Sequence, residues 1–132
     1  FRHRAGVVQG SVLSPLLYSV FINELAKEIQ SAGDLEGANG MPISALLYAD
    51  DLALVAHSNE ALEVLVKLCE AHSLRHRYRF NPTKCVAFET ASLTIYGEPI
   101  PVLPKFKYLG VMFQSDGVNW TSHFERLCQK AE

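Results

Sequence analysis

Cysteine is scarce in this chain of 132 residues, with only Cys69, Cys85 and Cys128. An odd number without paired spacing excludes a disulfide framework and a zinc-ribbon pattern, and predicts free thiols in a reduced, intracellular setting. No apolar run approaches the roughly 20 residues a spanning helix needs, so no membrane partner is expected. The opening Phe1-Arg2-His3-Arg4 lacks the apolar segment of a secretory signal. It also lacks an initiator methionine, which reads as a piece cut from something longer. Positive charge is in short supply, the formal net charge being −2. That excludes a strongly basic nucleic-acid binder judged by net charge alone. The cations are nevertheless uneven: Arg2 and Arg4 open the chain, and Arg75, Arg77 and Arg79 cluster mid-chain.

What is present is an ordinary globular balance, 48% hydrophobic and 20% charged, in a length that suits one domain with a modest core. Ser14-Pro15 reads as a helix start, Ser as N-cap and Pro in the first helical position. Leu16, Leu17, Val20, Phe21, Leu25 and Ile29 then recur at helical spacing and predict an apolar stripe to about Gln30. Ser31 to Pro42 is a Gly-rich loop. Two short apolar runs, Ile43 to Tyr48 and Leu52 to Ala56, flank Ala49-Asp50-Asp51 and predict a β-hairpin. Ser58 or Asn59 caps a second helix with a stripe of Leu62, Leu65, Val66 and Cys69, ending near His72 to Leu74. "FNPTKC" reads as a turn. Val86 to Phe88, Leu93 to Tyr96 and Lys105 to Phe113 read as strands, with Gly97-Glu98-Pro99 turning the chain. A last helix begins near Trp120, with Ser122 and Glu125 at capping-box spacing. The order predicts an α+β fold, helices packed on an antiparallel sheet.

The unusual feature is a pair of carboxylates inside "SALLYADDLALVA". A lone Asp-Asp pair is most often a solvated turn, which Asp suits. Apolar strands joined by a tight turn more often use Asn-Gly or Asp-Gly, however. Adjacent carboxylates repel unless a cation sits beside them. Oxygen ligands on a rigid hairpin suit Mg²⁺, which takes one or two carboxylates plus substrate phosphates. Two such ions would activate a hydroxyl and neutralise departing pyrophosphate in an in-line phosphoryl transfer. A further carboxylate is then required. Asp34, Glu36 and Asp116 are the candidates, none on a convincing neighbouring strand.

Tyr48-Ala49-Asp50-Asp51 resembles the YADD box of reverse transcriptases, and further matches follow in order. "GVVQGSVLSPLLYSVFINEL", Gly6 to Leu25, resembles the loop-and-helix motif before that box. "FNPTKC", Phe80 to Cys85, resembles the Asn-x-x-Lys motif after it. "FKYLGV", Phe106 to Val111, resembles the primer grip, and Trp120 to Ala131 resembles the first helix leading into the thumb. The resemblance is to the reverse transcriptases of non-LTR retrotransposons. It implies a partial reverse transcriptase domain over residues 1–132: palm from the Gln-Gly motif to the primer grip, without fingers or first catalytic aspartate. Asp50 and Asp51 would hold Mg²⁺, or Mn²⁺ in its place, Asp50 being the main ligand. Tyr48 would line the primer end. Gln9, Gly10 and Ser11 would sit by template base and incoming nucleotide, where glycine lets backbone approach closely. Lys84 would protonate or neutralise pyrophosphate. Tyr108, Leu109 and Gly110 would hold the primer strand. Singly these residues are ordinary: a turn before a helix, a solvated lysine, sheet core.

The resemblance implies an RNA template, a DNA primer and deoxynucleoside triphosphates as partners in a longer enzyme. Its location would be intracellular, in the nucleus for a eukaryotic element. With the upstream aspartate missing, the isolated chain is expected to be inactive. Its uncovered sheet surface is expected to invite self-association. Two other readings stand beside the polymerase fragment. One is a non-catalytic relict serving as scaffold or nucleic-acid-binding module, the other an unrelated metal-binding α+β domain. Arg75, Arg77 and Arg79, at period-two spacing, would share one face of an extended segment and meet phosphates. A solvated connector is the plainer account of them.

Overall fold

Proline in the first turn starts the first long element, α1, Ser14–Ala32. The computed structural model describes residues 10–37, 39–118, 120, 121 and 124. Gln9, Arg2, Arg4, Cys128, Ser122, Glu125 and most of the expected last helix lie outside them. Trp120, Thr121 and Phe124 are helical. The N-cap of α1 is Leu13 rather than Ser14, and no side chain caps it. Instead the Leu13 N–H donates to Ser11 Oγ at 3.3 Å, and Ser14 is buried. The cap moved one residue back because Pro15 fits either of the first two helical positions.

The chain folds as two units, dividing between Arg79 and Phe80. In the first, α1 packs on α2, Asn59–Arg75, and on β1, Ala45–Tyr48; α2 packs on β2, Asp51–Leu54. Ser58 caps α2 as expected, its Oγ accepting from the Ala61 N–H at 3.1 Å. The core holds Ile22, Leu25 and Ile29 from α1 with Leu65, Val66 and Cys69 from α2. Of the predicted α1 stripe only Leu25 and Ile29 are buried, and Phe21 is 40% exposed. Leu16, Leu17 and Val20 are exposed, because β1 and β2 are four residues each and α2 covers only the later turns. Gly33 closes α1 where backbone and side chain crowd together: a Cβ there would overlap the Ser44 side chain. Ser44 sits fully buried, and its carbonyl accepts from the Val55 N–H at 3.0 Å.

A polar seam also crosses the helix pair. Arg75 donates through Nη2 to both carboxylate oxygens of Glu28, at 3.0 and 3.1 Å. Fully buried His72 shares a 2.9 Å hydrogen bond through Nδ1 with the Tyr78 hydroxyl, and its ring stacks on His76 at 4.2 Å. Phe21 meets His72, His76 and Tyr78 edge-on. The arginine stripe does not form: Arg75 ends α2, and Arg77 adopts φ +59°. The helix ran one residue past the predicted stop, which removed the period-two geometry.

The second unit opens with a 3-10 turn, Pro82–Lys84, and contains β3, Leu93–Ile95; β4, Glu98–Ile100; β5, Lys105–Tyr108; β6, Val111–Gln114; and β7, Gly117–Val118. Every pairing is antiparallel between sequence neighbours: β3 with β4, β5 with β6, β6 with β7. Among the described residues the single sheet expected from the sequence is instead three small ones, β1-β2 being the third. Val86 to Phe88 yields only an isolated parallel bridge between Ala87 and Val102. Lys105 to Phe113 is two strands, turned at Leu109-Gly110 with φ +47° and +88°. Positive φ at both central residues is the hairpin turn whose twist matches that of the strands. Likewise Tyr96-Gly97 makes the β3-β4 turn, so Glu98 and Pro99 lie in strand β4. Proline is tolerated there because both strands of a two-stranded ribbon are edges. Ala87, Leu93, Ile95 and Ile100 form the small core, beside a run of rings from Phe88 through Phe106 to Phe113.

Leu25, fully buried, tests the helix interface. Leu25→Ala is expected to lose about 2–5 kcal/mol in urea unfolding. Gly33→Ala should lose about 1–3 kcal/mol, since Ser44 has no room to retreat; an unchanged midpoint would contradict that close approach.

Candidate active site

Strand β1 pairs with β2 so that Tyr48 faces Asp51, leaving Ala49 and Asp50 as a two-residue loop. Asp51 is therefore the first residue of β2, not part of the turn as the sequence had implied. Directly opposed residues in an antiparallel pair put their side chains on one face. Asp51 and Tyr48 thus share a face, while Asp50 leads off the tip. Tyr48 is 64% exposed, and both aspartates are exposed. The hairpin is held from behind by α1 on β1 and α2 on β2. Ala49 carries φ +50°, a conformation costing about 1–2 kcal/mol for a residue with a Cβ. Such outliers also occur at Arg77, Glu89, Tyr96 and Leu109, so strain alone does not mark the site.

Sequence reasoning passed over Tyr18. Burial, and behind it the Asp50 charge, push its phenol above the ordinary range. A half-buried hydroxyl on α1 therefore feels the carboxylate at the hairpin tip. Its signal in the sequence was faint: a tyrosine one helical turn after Ser14, on a helix whose facing strand was not yet known.

The other site residues are spread over both units. Gly10 has φ +85° with open space around it, and Ser11 receives the Leu13 N–H at the start of α1. Gln9 lies outside the described residues. Lys84, exposed, ends the 3-10 turn of the second unit. That turn is fixed by Asn81, whose Oδ1 accepts from the Thr83 N–H at 3.1 Å and from Thr83 Oγ1 at 2.8 Å. The Phe80 N–H donates to the Tyr96 hydroxyl at 3.1 Å. Tyr108, Leu109 and Gly110 occupy the tip of the β5-β6 hairpin. Of the further carboxylate candidates, Asp34 accepts the His57 N–H at 3.3 Å and Glu36 bridges Pro42. Asp116 turns the chain between β6 and β7 in the second unit. Among the described residues, three side chains suited to a metal gather at Glu24, His72 and His76, and not around Asp50.

The family described as reverse transcriptase (RNA-dependent DNA polymerase) matches residues 1–113. The chain belongs to the reverse transcriptase family. It is 32% identical over 134 residues to the Retrovirus-related Pol polyprotein from type-1 retrotransposable element R2 of Popillia japonica, over 87% of this chain and 22% of that protein. To the RNA-directed DNA polymerase from mobile element jockey of Drosophila funebris it is 33% identical over 121 residues, 82% of this chain and 13% of that protein. The R2 polyprotein of Nasonia vitripennis is 31% identical, over 88% of this chain and 13% of its own length. The chain thus spans less than a quarter of the curated relatives it matches. No solved structure is a significant match. These relatives are named for retrotransposable and mobile elements. Among the described residues no helix is long and apolar enough to cross a membrane.

Relief of the turn conformation tests the hairpin. Ala49→Gly is expected to raise stability by about 1 kcal/mol, since glycine adopts positive φ freely. Ala49→Val should lower it. A loss on Ala49→Gly, measured by chemical denaturation, would give the tip another geometry.

Proposed function

We propose that the chain is the palm segment of an RNA-directed DNA polymerase, with Asp50 and Asp51 as its carboxylate pair. The observation that carries this reading is the tight hairpin presenting Tyr48, Asp50 and Asp51 together at an exposed edge, within residues matched to the reverse transcriptase family. Two adjacent exposed carboxylates on a braced hairpin fit a hard divalent cation, Mg²⁺ or Mn²⁺. Bound there, such ions supply the charge that activates a primer hydroxyl and steadies departing pyrophosphate. Asp50 and Asp51 provide the anionic oxygens; Tyr48, on the same face as Asp51, offers a ring beside the primer end. Gln9, Gly10 and Ser11 stand by the template base and nucleotide. Gly10 contributes backbone that no Cβ obstructs. Lys84 neutralises or protonates pyrophosphate, and Tyr108, Leu109 and Gly110 hold the primer strand.

The partners in this reading are an RNA template, a DNA primer and deoxynucleoside triphosphates. The location is intracellular, the nucleus in a eukaryotic element. The open edges of the two-stranded sheets offer self-association to the isolated chain. On this reading the chain alone does not extend a primer; the alternative is a non-catalytic relict acting as scaffold or nucleic-acid-binding module.

The test is Mn²⁺ binding to the purified chain, followed by electron paramagnetic resonance with and without deoxynucleoside triphosphate. Nucleotide-dependent binding is expected, weakened by Asp50→Asn about tenfold or more, ~1.4 kcal/mol. Binding indifferent to both nucleotide and Asp50 would sink the polymerase reading. Primer extension by the isolated chain is expected to be negligible; measurable synthesis would overturn its inactivity.

A further inference from the structure

We propose that Glu24, His72 and His76 form a Zn²⁺ site that staples α1 to α2. The site is separate from the aspartate pair and independent of the polymerase reading. Each of the three offers a ligand atom, and those atoms lie within 4.8 Å of one another. Two imidazoles and one carboxylate, completed by water, form a recurrent zinc donor set. His72 and His76 stand four residues apart on α2, one helical turn, so both rings emerge on the same side. Glu24 meets them from α1, its Oε2 3.6 Å from His76 Nε2.

The second observation is an orphaned nitrogen. His72 is fully buried, yet its Nε2 has no hydrogen-bond partner among the described residues. Leaving such a group unsatisfied costs about 1–3 kcal/mol. His76 Nε2 is in the same position, since 3.6 Å to Glu24 is too long for a hydrogen bond. The Tyr78 hydroxyl already holds His72 Nδ1 at 2.9 Å. Such outer contacts commonly fix the tautomer that turns Nε2 to a metal.

The surrounding charges are compatible with a cation. Arg75 Nη1 lies 4.0 Å from Glu24 Oε1, but its Nη2 is engaged by both carboxylate oxygens of Glu28. Glu24 is exposed, so an ion has an entry path from solvent. Tetrahedral zinc with ligands near 2.1 Å brings them to about 3.4 Å apart. Capture therefore opens the His72–His76 stack and draws Glu24 inward.

Zn²⁺ titrated into the full chain against a chromogenic chelator is expected to saturate at a single ion. Glu24→Gln and His76→Gln, at positions that are not fully buried, should each weaken binding about tenfold or more, as should Tyr78→Phe. Ring resonances of His72 and His76 should shift together on adding zinc, a readout that needs no variant. Asp50→Asn should leave zinc affinity unchanged, which separates this site from the Mn²⁺ test above. Equal affinity in wild type and the Glu24→Gln/His76→Gln double variant would overturn the proposal. So would loss of zinc binding in Asp50→Asn, or ring shifts confined to His57.

Discussion

The contact between α1 and α2 is where the first unit gains its stability and where its hairpin gains its position. Ile22, Leu25 and Ile29 on one helix and Leu65, Val66 and Cys69 on the other form its apolar core. A two-stranded ribbon of four residues per strand is marginal alone in water. Here each strand lies on a different helix, β1 on α1 and β2 on α2. Separating the helices would release both strands at once, so the place of Asp50 and Asp51 depends on apolar packing some distance behind them.

Hydrophobic periodicity made the helices readable. It said which residues repeat, and it located α1 and α2 within two residues of their ends. It did not say how much of each stripe finds a partner: Leu16, Leu17 and Val20 repeat as regularly as Leu25 but are left in solvent. The hairpins were harder. Alternation in Lys105 to Phe113 looked continuous because Leu109 does not announce a turn, and only its positive φ beside Gly110 breaks the strand. Pro99 read as a turn residue for the opposite reason, since nothing in its neighbours signals that its strand is an edge.

Local motifs carried the candidate site better than they carried the fold. Tyr48, Asp50 and Asp51 are adjacent in the chain, so their grouping needed only a tight turn. Asn81 and Lys84 are likewise set by one short 3-10 turn. Tyr18 and the Glu24–His72–His76 group depend on contacts between distant segments, and nothing in the spacing of one helix reveals what faces it. The thiols told little: Cys69 is a core residue, and burial raises the Cys85 pKa.

Each β-ladder joins strands that are consecutive in the chain. Closing such ladders spans only short loops, which carry little entropic cost, and hairpins of this kind form in about 1–10 μs. The demanding step is the meeting of α1 and α2, whose Glu28–Arg75 fork bridges 47 positions of sequence. The β1-β2 ribbon, too short to persist in water by itself, thus depends on a closure between segments far apart in the chain.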